Sequence, residues 1–209
     1  MTFVQAHSSN FTKGRTRPID RVVMHYTAGN GDTAENNGKY FAGADRKASA
    51  HYFVDENSTV QTVAEGDTAW HAGNWDMNCR SVGIELCSRK DSRGVYYIPD
   101  ATVQRAAALV RELMEKYSIP VSGVIRHYDV TGKRCPEPMV ENEVLWSNFK
   151  AMLTLEETPK GEVLPAVPAP WAASAWEKAK TKGIMDGTRP RDPVTRQELA
   201  VVLERLGQI

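Results

Sequence analysis

The chain has 209 residues, of which 41% are hydrophobic and 25% charged, a composition typical of a globular protein. Its 26 basic and 26 acidic side chains cancel, so the sequence has no basic excess of the kind that binds nucleic acid. Apolar runs fall well short of the ~20 residues of a membrane span, and three cysteines are too few for a disulfide framework. Residues 1–9 do not resemble a secretory signal, so we expect synthesis in the cytoplasm and release by a separate route.

The first half of the chain predicts three strand regions and a helix. The apolar run 21–25 predicts a buried strand with His25 at its end, and Asp32 or Thr33 can cap a helix that runs to about residue 41. Residues 51–55 and 59–63 predict a hairpin. A further strand is predicted at 82–87, where alternation separates two faces: Val82, Ile84 and Leu86 on one, and Gly83, Glu85 and Cys87 on the other.

The second half predicts a long helix, a strand and another helix. Residues 100–117 repeat apolar side chains at helical spacing along one face. Residues 124–126 predict the end of a buried strand, and a helix is expected from about 141 to 153. Interleaved strands and helices indicate an α/β fold with a central mixed β-sheet flanked by helices.

The composition changes at residue 154. Four prolines between 154 and 170 predict a semi-rigid linker between a large domain at 1–153 and a small helical module at 171–209. Helices are predicted at 171–183 and 195–206, the second beginning with the capping box of Thr195 and Glu198. Two helices form a marginal core, so we expect this module to dock on another surface or to form a homo-oligomer.

A candidate metal site begins with His127 and Cys135, which are eight positions apart. Imidazole and thiolate are good zinc ligands, but a surface loop with a free cysteine explains this pair equally well. His25 is the candidate third ligand, because it also ends a predicted strand. Two histidines and one cysteine would hold one Zn²⁺ ion with an open position, the arrangement of catalytic rather than structural zinc.

Two further side chains suit a hydrolase. Glu85 lies within an apolar strand, where an unpaired carboxylate is costly, and it is our candidate general base. A salt-bridged or edge-strand glutamate is the alternative. Lys133, two positions before Cys135, is a candidate to stabilise an oxyanion; a solvated loop lysine is the alternative.

Five motifs in order resemble the type 2 N-acetylmuramoyl-L-alanine amidases, which are related to peptidoglycan recognition proteins and phage lysozyme-amidases. The motifs are His25-Tyr26-Thr27-Ala28, Ser49-Ala50-His51-Tyr52, Ala69-Trp70-His71-Ala72-Gly73, Ser81-Val82-Gly83-Ile84-Glu85 and the stretch from His127 to Pro136. The resemblance covers about residues 20–150. It implies zinc ligands at His25, His127 and Cys135, a catalytic glutamate at Glu85 and an oxyanion-stabilising lysine at Lys133. It also implies cleavage of the amide between N-acetylmuramic acid and L-alanine in peptidoglycan.

Two more histidines are candidate substrate-binding residues. Some relatives carry a catalytic tyrosine where His51 stands, so we expect His51 to support the site or to contact substrate; a half-buried strand histidine is the alternative. His71 is expected at the rim of the site, in contact with substrate. Cys79 and Cys87 are expected to be free thiols, with a disulfide between them as the alternative.

Residues 171–209 resemble a single S-layer-homology-like repeat, which implies binding of a secondary cell-wall polymer. Together these resemblances favour an endolysin-type enzyme, of phage or prophage origin, that lyses the bacterial cell wall after release by a holin. The alternative is a recognition protein that binds peptidoglycan without cutting it. Such relatives lack the cysteine ligand, whereas Cys135 and Glu85 are both present here.

Overall fold

The computed structural model of the chain describes residues 1–154, 173–184, 202–204 and 206. The chain divides into two units, Met1–Leu155 and Glu156–Ile209. The first unit contains every candidate site residue. Among the described residues, no helix is both long and apolar enough to cross a membrane.

The first unit is built around a six-stranded mixed sheet. The strands of this unit are β1 (Thr2–Phe3), β2 (Phe11–Thr12), β3 (Arg21–Tyr26), β4 (Tyr52–Val54), β5 (Thr59–Gln61), β6 (Thr68–Ala69), β7 (Ser81–Leu86), β8 (Arg89–Lys90), β9 (Tyr96–Tyr97) and β10 (Val124–Arg126). The main sheet has the order β1-β5-β4-β7-β3-β10. Only β4 and β5 pair antiparallel within it; the other neighbours are parallel. Two short antiparallel pairs, β2 with β6 and β8 with β9, lie outside it. The predicted fold class is confirmed.

Helices cover both faces of this sheet. They are α1 (Ala34–Gly43), α2 (Trp75–Arg80), α3 (Asp100–Tyr117), α4 (His127–Thr131), α5 (Glu137–Glu141) and α6 (Glu143–Met152). Because β3 and β7 are buried on both faces, they are nearly continuous apolar runs, as strands in parallel sheets usually are.

The alternation of β7 divides the core as predicted. Val82, Ile84 and Leu86 pack with the apolar face of α3 and with α6 in the largest hydrophobic cluster. Cys87, directly after β7, belongs to a second cluster with Phe53 and residues of α1. Glu85 lies on the same face of β7 as Cys87, so it projects on the α1 side of the sheet, away from the largest cluster. Burying one aliphatic side chain of that cluster stabilises the fold by about 1.5–3 kcal/mol.

The structure differs from the prediction around Asn142. The helix expected at 141–153 is α6, and a further short helix, α5, precedes it. The two are separate because Asn142 has extended backbone angles (φ −127°, ψ 95°) and its side chain accepts a hydrogen bond from the Val144 N–H. One residue thus ends α5 and caps α6. Helix α2 was not predicted, although Asn74 caps it in the same way through the Met77 N–H.

Less of the second unit is described. Helix α7 (Ala173–Thr181) lies within the helix predicted at 171–183, and residues 202–204 are helical within the helix predicted at 195–206. The predicted linker beyond Thr154 and residues 185–200 lie outside the described residues. Division into a catalytic domain, a linker and a helical module with the boundaries given above stays a prediction.

Candidate active site

Three potential metal ligands meet at one edge of the sheet. His25 is near the carboxyl end of β3, and His127 directly follows β10, the parallel neighbour of β3. Parallel neighbours end at the same edge, which is where sites form in open α/β sheets. The ring centroids of the two histidines are 4.7 Å apart.

Helix α4 and a turn return Cys135 to the two histidines. Gly132 ends α4 with φ 77°, a left-handed conformation that suits glycine. The Tyr128 N–H then donates to the Cys135 carbonyl at 2.9 Å. As a result the Cys135 Sγ lies 3.7 Å from the His25 Nδ1, and one donor atom from each of His25, His127 and Cys135 lies within 4.8 Å of the others. The structure therefore brings all three predicted ligands together.

The chemistry of these donors fits a zinc ion. Burial lowers the pKa of His25 well below its usual value and also lowers that of His127, so both rings are neutral and able to ligate. The His127 Nδ1 is buried and has no hydrogen-bond partner among the described residues. Burial raises the pKa of the Cys135 thiol to about 12, and a thiol in such surroundings becomes a thiolate when a divalent cation binds. Two imidazoles and one thiolate are ligands that zinc prefers over magnesium or calcium.

Glu85 is aligned with His25 in the sheet. The two residues are register partners in the parallel pair β3 and β7, so their side chains project from the same face. Burial raises the pKa of Glu85 to about 8, although the charge of Lys133 opposes the rise. Its Oε2 is buried without a hydrogen-bond partner among the described residues. The carboxylate is therefore neither the salt-bridged nor the edge-strand glutamate of the alternative interpretation.

Lys133 lies on the exposed loop between α4 and Cys135. Its positive charge reaches the site, because it lowers the pKa values of His25, His127 and Glu85. Lys133 is thus a cation on a long side chain whose charge acts on the cluster of donors.

His51 is a buried neighbour of His71, and the centroids of the two rings are 5.8 Å apart. Its role as a support of the site or as a substrate contact stays a prediction. The side chain is 0% exposed. Its Nδ1 accepts a hydrogen bond from the Gly83 N–H at 2.9 Å, and its Nε2 lies 2.6 Å from the Arg15 Nη2 and 3.3 Å from the Asp67 carbonyl oxygen. Burial lowers the pKa of His51 to about 3, and the charge of Arg15 adds to this effect. The neutral ring therefore joins three segments of the fold and packs against His71.

His71 lies in the site, but its polar atoms are engaged. Its Nδ1 is 3.0 Å from the Nε2 of His25, and its Nε2 is 3.2 Å from the hydroxyl of Ser81. Both ring nitrogens therefore have partners within the protein, and the predicted contact with substrate stays a prediction. The side chain touches a candidate metal ligand.

Sequence reasoning missed three residues that the structure places around the candidate ligands. Asp32 has an Oδ1 that is buried without a partner among the described residues, and its charge raises the pKa of Glu85. Ser81 and Asn78 hold the segment that carries His71. The N-cap Asn74 was the available signal for the last two, since it marks the short helix that positions them.

The other cysteines are not part of this cluster. Cys79 and Cys87 are buried free thiols, as predicted, and neither forms a disulfide. The Cys87 Sγ accepts a long hydrogen bond of 3.6 Å from the side chain of Asn37.

Comparison with known proteins identifies the family of the first unit. The family model of N-acetylmuramoyl-L-alanine amidases, Amidase_2, matches residues 15–138, more than half of the chain and all seven candidate residues. This chain belongs to that amidase family. The amidase CwlL of Bacillus licheniformis is 37% identical to it over 164 residues, which are 68% of this chain and 44% of CwlL. The chain spans 40–44% of the length of the first curated amidases it matches.

Solved structures of similar proteins share the amidase fold. The structure of PlyL has a TM-score of 0.63 and 27% identity, covering 73% of this chain and 96% of that chain. The catalytic domain of XlyA also has a TM-score of 0.63, with 25% identity, covering 73% of this chain and 97% of that chain. The S-layer-homology resemblance of residues 171–209 is not supported by these comparisons, and most of its motifs lie outside the described residues.

Proposed function

We propose that this amidase hydrolyses the amide bond between N-acetylmuramic acid and the L-alanine of the peptidoglycan stem peptide, with one zinc ion held by His25, His127 and Cys135. The observation that carries the proposal is the convergence of these three buried donors within 4.8 Å beside the unpaired carboxylate of Glu85. Membership of the amidase family supports the choice of bond. The endolysin-type, lytic role is part of the same proposal.

Each of the three ligands would contribute one donor atom to the ion. The Nδ1 atoms of His25 and His127 are the free ring nitrogens, because His25 Nε2 contacts His71 and His127 Nε2 faces the backbone of Ala72. The thiolate of Cys135 cancels one positive charge. When bound, zinc at an open three-ligand site supplies a Lewis acid for the scissile carbonyl and lowers the pKa of water.

Glu85 is the proposed general base. A carboxylate with an unpaired oxygen can accept a proton from the attacking water and return it to the departing L-alanine nitrogen. Burial raises the pKa of this carboxyl above its usual value, which favours uptake of a proton from water during the reaction.

Lys133 is proposed to stabilise the oxyanion that develops on the scissile carbonyl. This role is supported by the positive charge of Lys133, which lowers the pKa values of His25, His127 and Glu85 together. Positive groups aimed at a developing oxyanion are typically worth 10²- to 10³-fold in rate.

The second unit is proposed to assist at the cell wall. Binding of a secondary wall polymer by residues 171–209, or self-association through their helices, stays a prediction. Neither nucleic acid nor a membrane is proposed as a partner.

Mass spectrometry of purified peptidoglycan tests the reaction. The zinc-loaded protein should release stem peptides that begin at L-alanine and leave the glycan strands intact, whereas a chelated sample should release none. Glu85→Gln should retain zinc but lose roughly 10²- to 10⁴-fold in rate, while the same change at the exposed Glu115 of α3 should leave the rate unchanged. If the protein stayed bound to the walls without releasing peptides, the recognition function would replace this proposal.

A further inference from the structure

We propose that residues 70–73 form an outer support for the zinc centre, in which His71 positions His25 and the backbone of Ala72 positions His127. His71 is here a positioning residue and not a substrate contact. This inference rests on the proposed function, because it concerns how the same metal site is held in shape.

The hydrogen bonds of His71 have only one consistent direction. The Ser81 hydroxyl lies 2.5 Å from the Met77 carbonyl, which can only accept, so the hydroxyl donates there. The Ser81 oxygen is then free to accept from the His71 Nε2 at 3.2 Å. A neutral imidazole that donates through Nε2 must accept through Nδ1. The His71 Nδ1 therefore accepts from the His25 Nε2, 3.0 Å away.

This direction selects the ligating atom of His25. With its proton on Nε2, His25 has its lone pair on Nδ1, the nitrogen that faces the Cys135 Sγ at 3.7 Å. A ligating histidine usually donates its second nitrogen to a neighbour that sets its tautomer and ring orientation. The neighbour here is another histidine, itself oriented by Ser81.

The ring of His71 is held in place by a close contact with the sheet. It packs against Gly83 of β7 so tightly that a Cβ atom at that position would lie 2.5 Å from the His71 Cγ. A side chain on residue 83 would therefore displace the ring. The His71 and His25 rings meet edge to face, with centroids 5.1 Å apart.

The same segment holds the second histidine ligand. His127 lies against the backbone of this segment, because a Cβ atom on Gly73 would lie 3.7 Å from the His127 Nε2. Its Nδ1 has no partner among the described residues, so Nε2 is the nitrogen that faces the backbone of Ala72 and Gly73. The side-chain oxygen of Asn78 accepts from the N–H groups of both His71 and Ala72, at 3.1 and 2.8 Å. Asn78 is only 7% exposed. One buried amide thus fixes the backbone from which both ligands are oriented.

A matched pair of variants distinguishes the effect of the hydrogen-bond acceptor of His71 from the effect of its side-chain volume. His71→Leu and His71→Asn have the same branched shape, but only asparagine keeps an acceptor where the Nδ1 stands. We expect His71→Leu to lower the zinc affinity of the full-length protein by roughly 10- to 100-fold and His71→Asn to recover most of the loss. Zinc affinity is measured by competition with a chromogenic chelator at neutral pH. Absorption of the Co²⁺-loaded proteins then reports the ligand geometry, which should change in His71→Leu and resemble the parent in His71→Asn.

Two further variants guard against a simple folding defect. Val110→Ala removes buried volume from α3 without touching the site, so it should lower stability and leave zinc affinity unchanged. Ser81→Ala deletes only the hydroxyl that orients His71, and it should weaken zinc binding less than His71→Leu does.

The outcomes distinguish the positioning role of His71 from the proposed zinc amidase function on which it rests. If the parent bound zinc and both His71→Leu and Ser81→Ala bound it equally well, the positioning role would be wrong while the zinc amidase remained. An equal loss in His71→Leu and Val110→Ala would also overturn the role, since it would reduce to general stability. A parent that bound no zinc would overturn both proposals, whereas a parent that bound zinc without cutting peptidoglycan would overturn the function alone.

Discussion

Acidification should destabilise this protein through His51 in particular. The ring is fully buried and neutral, its Nδ1 accepts from the Gly83 N–H, and Arg15 lies against it. Its folded-state pKa of about 3 lies far below the ~6.5 of an unfolded histidine. Between these two values the unfolded chain binds a proton that the folded protein excludes, so stability falls as the pH decreases from about 6.5 toward 3. The full difference corresponds to about 5 kcal/mol in the free energy of unfolding, and by about pH 4 about 3 kcal/mol is lost.

The variant His51→Asn isolates this contribution. Asparagine keeps an oxygen for the Gly83 N–H but does not titrate. Guanidinium unfolding of chelated samples, in which zinc release plays no part, gives the free energy of unfolding at several pH values. The parent should lose about 3 kcal/mol more than His51→Asn between about pH 7 and pH 4, even if the variant is less stable at pH 7. His25 titrates in both proteins, so its effect largely cancels in this difference, whereas His71 packs against His51 and belongs to the same response. Parallel pH profiles would refute the buried, neutral state of His51.

Three other perturbations test separate parts of the molecule. Cys135→Ser should reduce zinc affinity by more than the roughly 10- to 100-fold expected for an outer-shell residue, and unchanged metal content would exclude Cys135 as a ligand. Asp55→Ala should lower the free energy of unfolding by about 2–3 kcal/mol. The reason is that the buried carboxylate accepts hydrogen bonds from the N–H of Ala34 at the start of α1 and from the N–H of Ser58 in the hairpin turn. A loss below about 0.5 kcal/mol in guanidinium unfolding would contradict this. Deleting residues 155–209 should leave turnover of a soluble muropeptide intact while weakening lysis of whole walls, and loss of the soluble activity would instead make the second unit part of the catalytic structure.

The elements that sequence predicts well are those whose burial pattern is long. Helix α3 runs from Asp100 to Tyr117 as predicted, because eighteen residues repeat the 3.6-residue period. Strand β7 is short, but its alternation is regular and places Glu85 correctly. The strands β1, β2, β6, β8 and β9 have two residues each and carry no period at all. They are stabilised by tertiary pairing, which no local pattern encodes.

The candidate site shows a similar division. The proximity of His25 and His127 can be predicted from the sequence, because each lies at the end of an apolar strand. The two strands need only to pair in parallel, as β3 and β10 do. The functions of His51 and His71 do not follow, since both are histidines beside short strands with similar neighbours. What separates them is which ring nitrogens are already bonded, and those partners are ten to forty-six residues away in the chain.

Buried polar atoms without hydrogen-bond partners are concentrated around the candidate site. This indicates that the residues of the site serve ligand binding at a cost to the stability of the fold. The described residues contain four buried side-chain polar atoms without a hydrogen-bond partner. Two belong to Glu85 and His127, and a third to Asp32, whose charge acts on Glu85; only Thr102 lies elsewhere, on α3. Leaving such an atom unpaired costs about 1–3 kcal/mol. A ligand that satisfies His127 binds the folded state alone, so zinc at a hundred times its dissociation constant should return about 2.7 kcal/mol to the free energy of unfolding. The sheet is stabilised from its other face by α3 and α6, so the face that carries Glu85 can hold polar groups that serve a ligand.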